Sequence, residues 1–388
     1  MSSANSPARI NWNGKSLYRP PHQNGACPST VPKYHYVPPQ AGSPSGAWQS
    51  SGHFLDFKIP NQIGTLYGFN WRFLVNNTHE AVVNAPVTPF WVSQIEIMVG
   101  STLIETIYPH EINNETIGFL PLDQLRAHVG VLNLSSSGYD GHESIPEGSS
   151  TFYLPFKNCL TTARVFAAGV QEDIKIRVYF PPGLFSGQDI ALSDLTLIVE
   201  EDAGSSDDAA AWNESHKQGI VYNTLVRQRQ SLAVSRVAGN QNTIDLTGLN
   251  GSSAGLVVYS NDGAQANPMT ADDLTSRYDI ASLTLQDSMG NKKSEVLDGR
   301  WLTSFVWPAH IGTSFPEDVL TYLVPFSADF RKAVEEGTNC GQVKLDGTDR
   351  LVLGPASSTR TENITITNYM YQSLVFSRGK LVSVIKKY

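Results

Sequence analysis

The chain has 388 residues, of which 40% are hydrophobic and only 16% are charged, and its formal net charge is −8. That length is enough for two domains of ordinary size with separate cores, which excludes a single small module. No apolar run reaches the roughly 18 residues that a membrane-spanning helix needs, so we expect a protein that is soluble, or made and assembled in the cytosol. Three widely spaced cysteines, Cys27, Cys159 and Cys340, argue against a disulfide framework or a Cys-rich zinc site and predict buried free thiols.

The first 50 residues are rich in Pro, Ser, Gly and Asn and show neither a helical nor a strand period. Because this segment also contains aromatic residues such as Trp12 and Tyr36, we predict an extended Pro-rich arm, residues 1–50, that orders against a partner. No acidic residue precedes Asp56 and none follows Glu362, so each end carries about four unopposed positive charges and the middle about −16 (−8 minus 4 minus 4). Both ends are therefore predicted to meet an anionic surface such as lipid headgroups or nucleic acid, with two solvated tails as the alternative. The basic residues concerned are Arg9, Lys15, Arg19, Lys33, Arg378, Lys380, Lys386 and Lys387.

After this arm the hydrophobic pattern alternates with the period of β-strands. Gly64–Asn77 is predicted as one long strand, and Phe90–Tyr108 as two strands about a turn at Gly100, with alternate apolar residues on one buried face. Leu120–Leu132 has apolar residues at helical spacing and is predicted as a helix. Further strands are predicted at His53–Pro60, Thr151–Phe156, Glu172–Gly183 and Leu192–Asp202.

An acidic, Ser- and Ala-rich segment then interrupts the strand pattern and supplies the best internal boundary. We predict a first jelly-roll domain at residues 51–203, a linker at residues 204–219, and a second jelly-roll domain at residues 220–388 that ends in a basic tail.

The second domain repeats phrases of the first in the same order. "YLPF" (Tyr153–Phe156) matches "YLVPF" (Tyr322–Phe326), and "SDLTLIVEED" (193–202) matches "ENITITNYM" (362–370), each displaced by about 170 residues. "DIKIRVYFPPG" likewise matches "DRLVLGP", and "VSQIEIMVGS" matches "IASLTLQDSM". Such ordered matches indicate a duplication in which each half supplies about eight short strands. Eight antiparallel strands in two packed sheets make a jelly roll, so the predicted fold is all-β: two tandem eight-stranded antiparallel jelly rolls with short helices in the connections.

Local patterns give further predictions for the second domain. A helix is predicted after "YLVPF", capped by Ser327 and ended by Gly337, whereas the segment after "YLPF" is more apolar and less well capped. "RWLTSFVW" (Arg300–Trp307) is predicted as a strand. The tryptophans of the strand candidates are predicted to lie in the core rather than to form a ligand platform: Trp71, Trp91, Trp301 and Trp307.

Motifs that would signal catalysis or cofactor binding are absent from the sequence: it has no phosphate loop, dinucleotide fingerprint, zincin helix or nucleophile elbow. The pairs His79-Glu80 and His110-Glu111 are interpreted as solvated loop residues rather than metal ligands. An acidic cluster could bind calcium but lacks the spacing of a known loop, so a solvated linker is the preferred interpretation for Glu200, Glu201, Asp202, Asp207 and Asp208. We therefore predict no enzyme, no catalytic residue, no metal, no cofactor and no sequence-specific nucleic-acid binding.

Three stretches carry a family resemblance: "FLDFKIPNQIGTLYGFNWRFLVNNT" (Phe54–Thr78), "FWVSQIEIMVGSTLIETI" (90–107) and "TYLVPFSADFRKAVEEGTNCGQVKLDGTDRLVLGP" (321–355). They resemble the double jelly-roll major capsid proteins of tailless icosahedral DNA viruses, the lineage that joins tectivirus-like phages, virophages, large eukaryotic DNA viruses and adenovirus. The resemblance spans residues 53 to about 385 and depends on order, spacing and duplication rather than on an invariant motif.

The resemblance implies a homotrimer whose six jelly rolls form a pseudo-hexagonal capsomer of an icosahedral shell. It further implies assembly in the host cytoplasm into a virion, with neighbouring capsomers, minor capsid and vertex proteins and an internal lipid membrane as partners. Both termini then lie at the inner face, where their basic residues would meet membrane or genome.

Two other classes remain open from the sequence. One is a two-jelly-roll glycan-acting hydrolase or carbohydrate-binding protein, which would need carboxylates converging in a concave site. The other is a minor capsid or spike protein, which usually lacks the full duplication.

Overall fold

The computed structural model describes residues 7–12, 15–20, 23, 32–40, 54–86, 88–119, 134–135, 138–139, 142–182, 184–185, 189–202, 204–262, 277–311 and 320–386. The helix predicted at Leu120–Leu132 and the residues Cys27 and Lys387 lie outside these ranges. Of the described cysteines, Cys159 is a buried free thiol, as predicted, and Cys340 is a half-buried one.

The N-terminal half of the chain contains fourteen strands within the described residues. They are β1 (Ala8–Trp12), β2 (Lys15–Arg19), β3 (Pro32–Val37), β4 (Phe54–Lys58), β5 (Thr65–Asn77), β6 (Val83–Pro86), β7 (Gln94–Val99), β8 (Thr102–Ile107), β9 (Leu134–Ser135), β10 (Gly138–Tyr139), β11 (His142–Ile145), β12 (Gly148–Phe156), β13 (Ile174–Tyr179) and β14 (Ile190–Asp202). Eight of them form two antiparallel four-stranded sheets, with the orders β12-β5-β14-β3 and β4-β13-β7-β8. Numbered along the chain from one to eight, these orders are 6-3-8-1 and 2-7-4-5.

The C-terminal half forms the same pair of sheets. Its strands are β15 (Ile220–Arg236), β16 (Asn242–Asp245), β17 (Asn250–Asp262), β18 (Ser282–Gln286), β19 (Leu297–Asp298), β20 (Tyr322–Pro325), β21 (Val343–Asp346), β22 (Arg350–Leu353), β23 (Arg360–Ser377) and β24 (Lys380–Lys386). The sheet orders are β20-β17-β23-β15 and β16-β22-β18-β19, which again read 6-3-8-1 and 2-7-4-5, while β21 and β24 add to β17 and β23. The chain is therefore two jelly rolls in tandem, as the sequence predicted.

Helices lie in the connections. They are α1 (Pro109–Phe119), α2 (Cys159–Ala163), α3 (Ser206–Gln218), α4 (Gly299–Trp301), α5 (Trp307–Ile311) and α6 (Phe330–Glu336), with a π-helical turn at Leu302–Val306 and short 3-10 turns at Thr88–Trp91 and Ala167–Gly169. Within the described ranges, no helix is both long enough and apolar enough to cross a bilayer.

The repeated phrases occupy one position in the two rolls. "YLPF" ends the sixth strand of the first roll and "YLVPF" the sixth strand of the second, and both strands lie at a sheet edge. An edge strand tolerates Pro155 and Pro325 because only one of its sides must be hydrogen-bonded. Phe156 then enters the core, where its ring stacks 5.7 Å from Trp71.

The alternation of apolar and polar residues along each strand determines which face of its sheet is buried. In β5 the residues Phe69, Trp71 and Phe73 point inward, and the Trp71 ring meets Phe57 of the opposite sheet edge-on at 4.7 Å. Trp91 packs against Phe152 at 4.9 Å. Such pairs across two sheets close each sandwich by removing large apolar surfaces from water.

The predicted strand at Arg300–Trp307 is wrong, because this segment is helical. Asp298 caps the helix by accepting the N–H of Trp301 at 3.0 Å. The buried residues Leu302, Trp307 and Ile311 recur every four to five positions, which is a helical spacing. Trp301 is consequently 51% exposed instead of being part of the core.

Three local predictions differ from the structure in instructive ways. Residues 32–37 of the predicted arm are β3, which pairs with β14 and so belongs to the first roll. The segment after "YLPF" is well capped, since Asn158 and Thr161 form a reciprocal capping box on α2. The helix after "YLVPF" ends at Gly337 as predicted, but its cap is Asp329 rather than Ser327.

The predicted linker contains α3, which joins the last strand of the first roll to the first strand of the second. Ser205 and Asp208 cap this helix, and its own residues Trp212 and His216 are buried on its inner face. The solvated interpretation therefore fails for Asp208, and also for Glu201, whose carboxylate accepts the N–H of Gly64 at 2.8 Å and pairs with His35. Among the residues that the structure describes, no group of three or more potential metal ligands is found.

Candidate functional site

The two rolls meet through a buried ionic cluster. The outer face of the second roll's 6-3-8-1 sheet, the face turned away from its own core, packs against β8 and α1 of the first roll. Arg227 of β15 lies at the centre, only 9% exposed, and faces Glu105 of β8 and Glu115 of α1.

Arg227 makes direct contacts with two carboxylates. Its Nη1 donates to Glu105 Oε1 at 2.5 Å, while its Nε and Nη2 donate to the two oxygens of Glu115 at 2.7 and 2.6 Å. Tyr369 also donates to Glu115 at 2.8 Å, and the Cys159 N–H donates to the second oxygen of Glu105 at 2.7 Å. The cluster therefore ties two strands of the second roll to a strand and two helices of the first, since α2 begins at Cys159.

A third carboxyl group, that of Glu111, lies beside Glu105 and Glu115 but makes no direct ion pair with Arg227. Its oxygens accept the Tyr108 N–H at 2.9 Å and the Thr367 hydroxyl at 3.1 Å. Burial raises the pKa of Glu111, and the attraction of Arg229 and Arg227 only partly opposes this. Burial also disfavours the charged Arg227, but Glu115 and Glu105 outweigh it and hold its pKa well above the usual value.

Glu111→Gln is expected to leave the free energy of unfolding at pH 7 unchanged or to raise it. Glutamine can accept from Tyr108 and donate to Thr367, and it removes a buried charge. The folded protein binds the Glu111 proton more tightly than the unfolded chain does, because the pKa of Glu111 is raised above 4.5 in the folded state. Protonation of wild-type Glu111 therefore adds stability as the pH falls from the raised folded-state pKa toward 4.5. Urea unfolding at pH 7 and pH 5 should show that wild type becomes more stable relative to the variant at the lower pH; clear destabilisation of the variant at pH 7 would contradict the assignment.

The interpretation of His110 and Glu111 as solvated loop residues is wrong. Both are buried in α1, and the His110 ring contacts Phe90 at 5.0 Å and Tyr259 at 5.2 Å. The sequence held a signal that was missed: Glu111 and Glu115 are one helical turn apart, and Arg227 and Arg229 alternate on one strand face. His79 and Glu80 are exposed, as predicted.

Both ends of the chain meet at one end of the rolls. Ile220 pairs with Tyr18 of the N-terminal hairpin and with Phe376 near the end of β23. The following turn packs against the first roll, since the Gln171 N–H donates to the Gly379 carbonyl at 2.7 Å. Gly379 has φ +70°, and a Cβ there would lie 2.6 Å from Gln171 Cγ, so this close approach requires glycine. We call this end of the two rolls the base.

Most of the predicted basic residues that the structure describes lie near the base. Arg9 and Arg19 belong to the hairpin β1–β2, as does the backbone of Lys15, and Lys33 is exposed on β3 opposite Glu201. Arg378 and Lys380 are exposed at the turn between β23 and β24. Lys386 lies farther from the base, at the other end of β24 opposite Gln372, where it is half-buried and its Nζ donates to Asn250 at 2.8 Å.

Several solved structures with this architecture come from viral capsids. The chain is similar to a PBCV-1 virus capsid structure, with TM-score 0.67, 12% identity, and coverage of 91% of this chain and 97% of that one. It is similar to the Faustovirus major capsid protein, with TM-score 0.63, 10% identity and coverage of 90% and 92%. It is also similar to the STIV MCP, with TM-score 0.54, 13% identity and coverage of 87% and 96%.

No protein-family model matches the sequence, and the search of curated proteins gave no match. At identities of 10 to 13%, the structural likeness establishes the fold, which is the double jelly roll of these capsid proteins.

Proposed function

We propose, on the premise of this double jelly-roll fold, that the chain is a major capsid protein whose trimers tile an icosahedral viral shell. Each chain contributes two rolls, so three chains contribute six rolls to one capsomer of hexagonal outline. The protein acts in the virion by self-association rather than by catalysis, and its partners are neighbouring capsomers together with minor capsid and vertex proteins.

The observation that carries this proposal is the identical 6-3-8-1 and 2-7-4-5 order in two successive rolls, over a fold shared with capsid proteins along most of both chains. Because each chain contains two rolls of the same architecture, three copies of one gene product can fill the six corners of a hexagonal capsomer. The full duplication also favours a major capsid protein over a minor capsid or spike protein.

The oligomeric state tests the proposal directly. Size-exclusion chromatography with light scattering on the purified full chain should give the mass of a trimer, and electron microscopy should show hexagonal particles. A chain that stays monomeric at every concentration would refute the capsid function.

A glycan-acting hydrolase or lectin is the alternative that this experiment separates. Glycosidases place two carboxyl groups across an open cleft. Here the closely spaced glutamates of the buried cluster are instead occupied by Arg227, Tyr369 and Thr367. Binding or hydrolysis of glycans by a monomer would favour the alternative.

The basic residues of the base are proposed to face an internal membrane. Neutralising Arg378→Asn with Lys380→Gln is expected to weaken trimer binding to anionic vesicles by about 2 kcal/mol per chain, at about 1 kcal/mol per basic residue. Asparagine is chosen because Arg378 has φ 53°, which asparagine tolerates. Flotation with phosphatidylserine vesicles measures binding, and light scattering checks that the trimer persists.

The matched control is Arg378→Lys with Lys380→Arg, which keeps both charges and should float like wild type. Equal flotation of the neutralised and control trimers would show that these charges do not contact lipid.

A further inference from the structure

The packing of the two rolls within one chain follows a rule that can be stated by strand position. The helix α1, which directly follows the fifth strand of the first roll, covers the outer face of the second roll's 6-3-8-1 sheet. Its acidic residues Glu111 and Glu115 meet Thr367, Arg227 and Tyr369 on that face. A helix after the fifth strand of one roll thus covers the sheet of the next.

The first roll has the equivalent sheet face, and within the described residues its tyrosines remain exposed. The matching eighth strands align Ile198 with Thr367 and Glu200 with Tyr369. The pairing partner of Ile198 is Tyr36, and the partner of Thr367 is Arg229. Tyr36 is therefore the counterpart of Arg229, and by the same step Tyr34 is the counterpart of Arg227.

This surface, which we call the tyrosine face, is aromatic instead of ionic. Its exposed side chains are Tyr34 (59%), Tyr36 (62%), Tyr67 (37%) and Tyr153 (39%). Arg72 lies among them, with its guanidinium 5.8 Å from the Tyr36 ring. Several large aromatic side chains exposed on one sheet face mark a surface that another molecule covers.

The second roll also has a helix after its fifth strand, and it carries the chemistry that such a face needs. This helix runs through α4, the π turn and α5 directly after β19. It anchors to its own roll through Leu302, Trp307 and Ile311 and turns Trp301 and Phe305 outward, 51% and 59% exposed. Their rings stack at 4.6 Å with an interplanar angle of 20°, forming one flat apolar surface.

We propose that Trp301 and Phe305 of one copy cover the tyrosine face of a second copy, so that the contact between chains repeats the contact within the chain. The inference rests on the proposed capsid function and names the surface through which the trimer forms. The acidic helix matches the arginines of its sheet, and the aromatic helix matches the tyrosines and Arg72 of the other. Such a contact is heterologous, using different surfaces on the two copies, and three copies close it into a ring.

Photo-crosslinking tests the contact in the assembled full chain. We would place p-benzoylphenylalanine at Tyr36, mix isotopically heavy and light chains, irradiate the trimer and map adducts by mass spectrometry. Heavy–light adducts within residues 299–311 are expected. A trimer whose adducts map to another segment, or only within one chain, would overturn this inference while leaving the proposed function standing; a wild-type chain that never forms trimers would overturn the proposed function itself.

A second measurement uses alanine variants. The double variant Trp301→Ala and Phe305→Ala is expected to raise the concentration at which the trimer dissociates by at least about tenfold, since buried aromatic residues dominate interfaces. The control double variant, Met289→Ala with Val296→Ala, also shortens two exposed apolar side chains (88% and 54%) but should leave that concentration unchanged. Circular dichroism confirms that both remain folded. Equal dissociation of the two variants would contradict the proposal.

Discussion

Arg227→Met is expected to lower the free energy of unfolding by about 3–5 kcal/mol, because it leaves Glu105 and Glu115 buried without the cation that both contact. Methionine fills a comparable volume, so the loss of packing is small compared with the loss of charge balance. Urea unfolding at pH 7, followed by tryptophan fluorescence, measures the change through the midpoint concentration.

The electrostatic cause can be separated from packing by removing the other charges as well. Adding Glu105→Gln and Glu115→Gln to Arg227→Met removes the two unpaired charges and should recover a substantial part of the lost stability. Arg227→Lys, which keeps the charge but loses the bidentate geometry with Glu115, should fall between wild type and Arg227→Met. If the triple variant is as unstable as Arg227→Met, packing rather than charge explains the loss.

The architecture was predictable because alternation and duplication are properties of the sequence itself. Strands such as β5 and β13 alternate apolar and polar residues, which fixes one buried face without knowledge of any partner. The shared position of "YLPF" and "YLVPF" followed from order alone, since a duplicated unit keeps its strand sequence.

The contacts between the rolls were not predictable in the same way. Arg227 and Glu105 are 122 residues apart, and although Arg227 and Arg229 share one strand face, no local pattern shows that Glu105 packs against that face. The strand predicted at Arg300–Trp307 was wrong for a related reason, since a short apolar run fits both the strand period and the helical period. Only the cap at Asp298 and the burial of Ile311 identify the segment as a helix. The strand β3 was missed because Pro, His and Tyr give it no clear alternation, and pairing with β14 supplies its structure.

Low pH is expected to destabilise the end of the two rolls that we call the base, through protonation of His216. This residue is 1% exposed on the inner face of α3, between the rings of Trp212, Phe166, Tyr222 and Phe376. Its Nδ1 lies 3.0 Å from the Trp212 carbonyl, which can only accept, so Nδ1 carries the proton and Nε2, 3.3 Å from the Tyr222 hydroxyl, accepts. The buried ring is therefore neutral, and burial lowers the pKa of His216 from 6.5 to about 4.

The direction of the effect follows from proton binding. Between pH 6.5 and about 4 the unfolded chain binds a proton at His216 and the folded protein does not, so stability is complete above pH 6.5 and falls as the pH falls. The loss approaches about 3 kcal/mol near pH 4, at 1.36 kcal/mol per pKa unit. His216→Gln keeps a donor for Trp212 and an acceptor for Tyr222 but does not titrate, so its free energy of unfolding should fall less over this range.

The comparison of variants isolates His216 from the carboxyl groups, whose titration overlaps the same range. His79→Gln alters a histidine that is exposed and should keep the wild-type pH profile. Urea unfolding of wild type, His79→Gln and His216→Gln at half-unit steps from pH 7 to pH 4 gives the three profiles. His216 lies where α3, β15 and the turn at Gly379 meet, so its protonation should open this end of the rolls before the rest of the protein unfolds. The Gly379 amide donates to the His216 carbonyl, and its hydrogen exchange in wild type should therefore accelerate as the pH falls. Parallel profiles for wild type and His216→Gln would show that this histidine does not set the acid stability of the base.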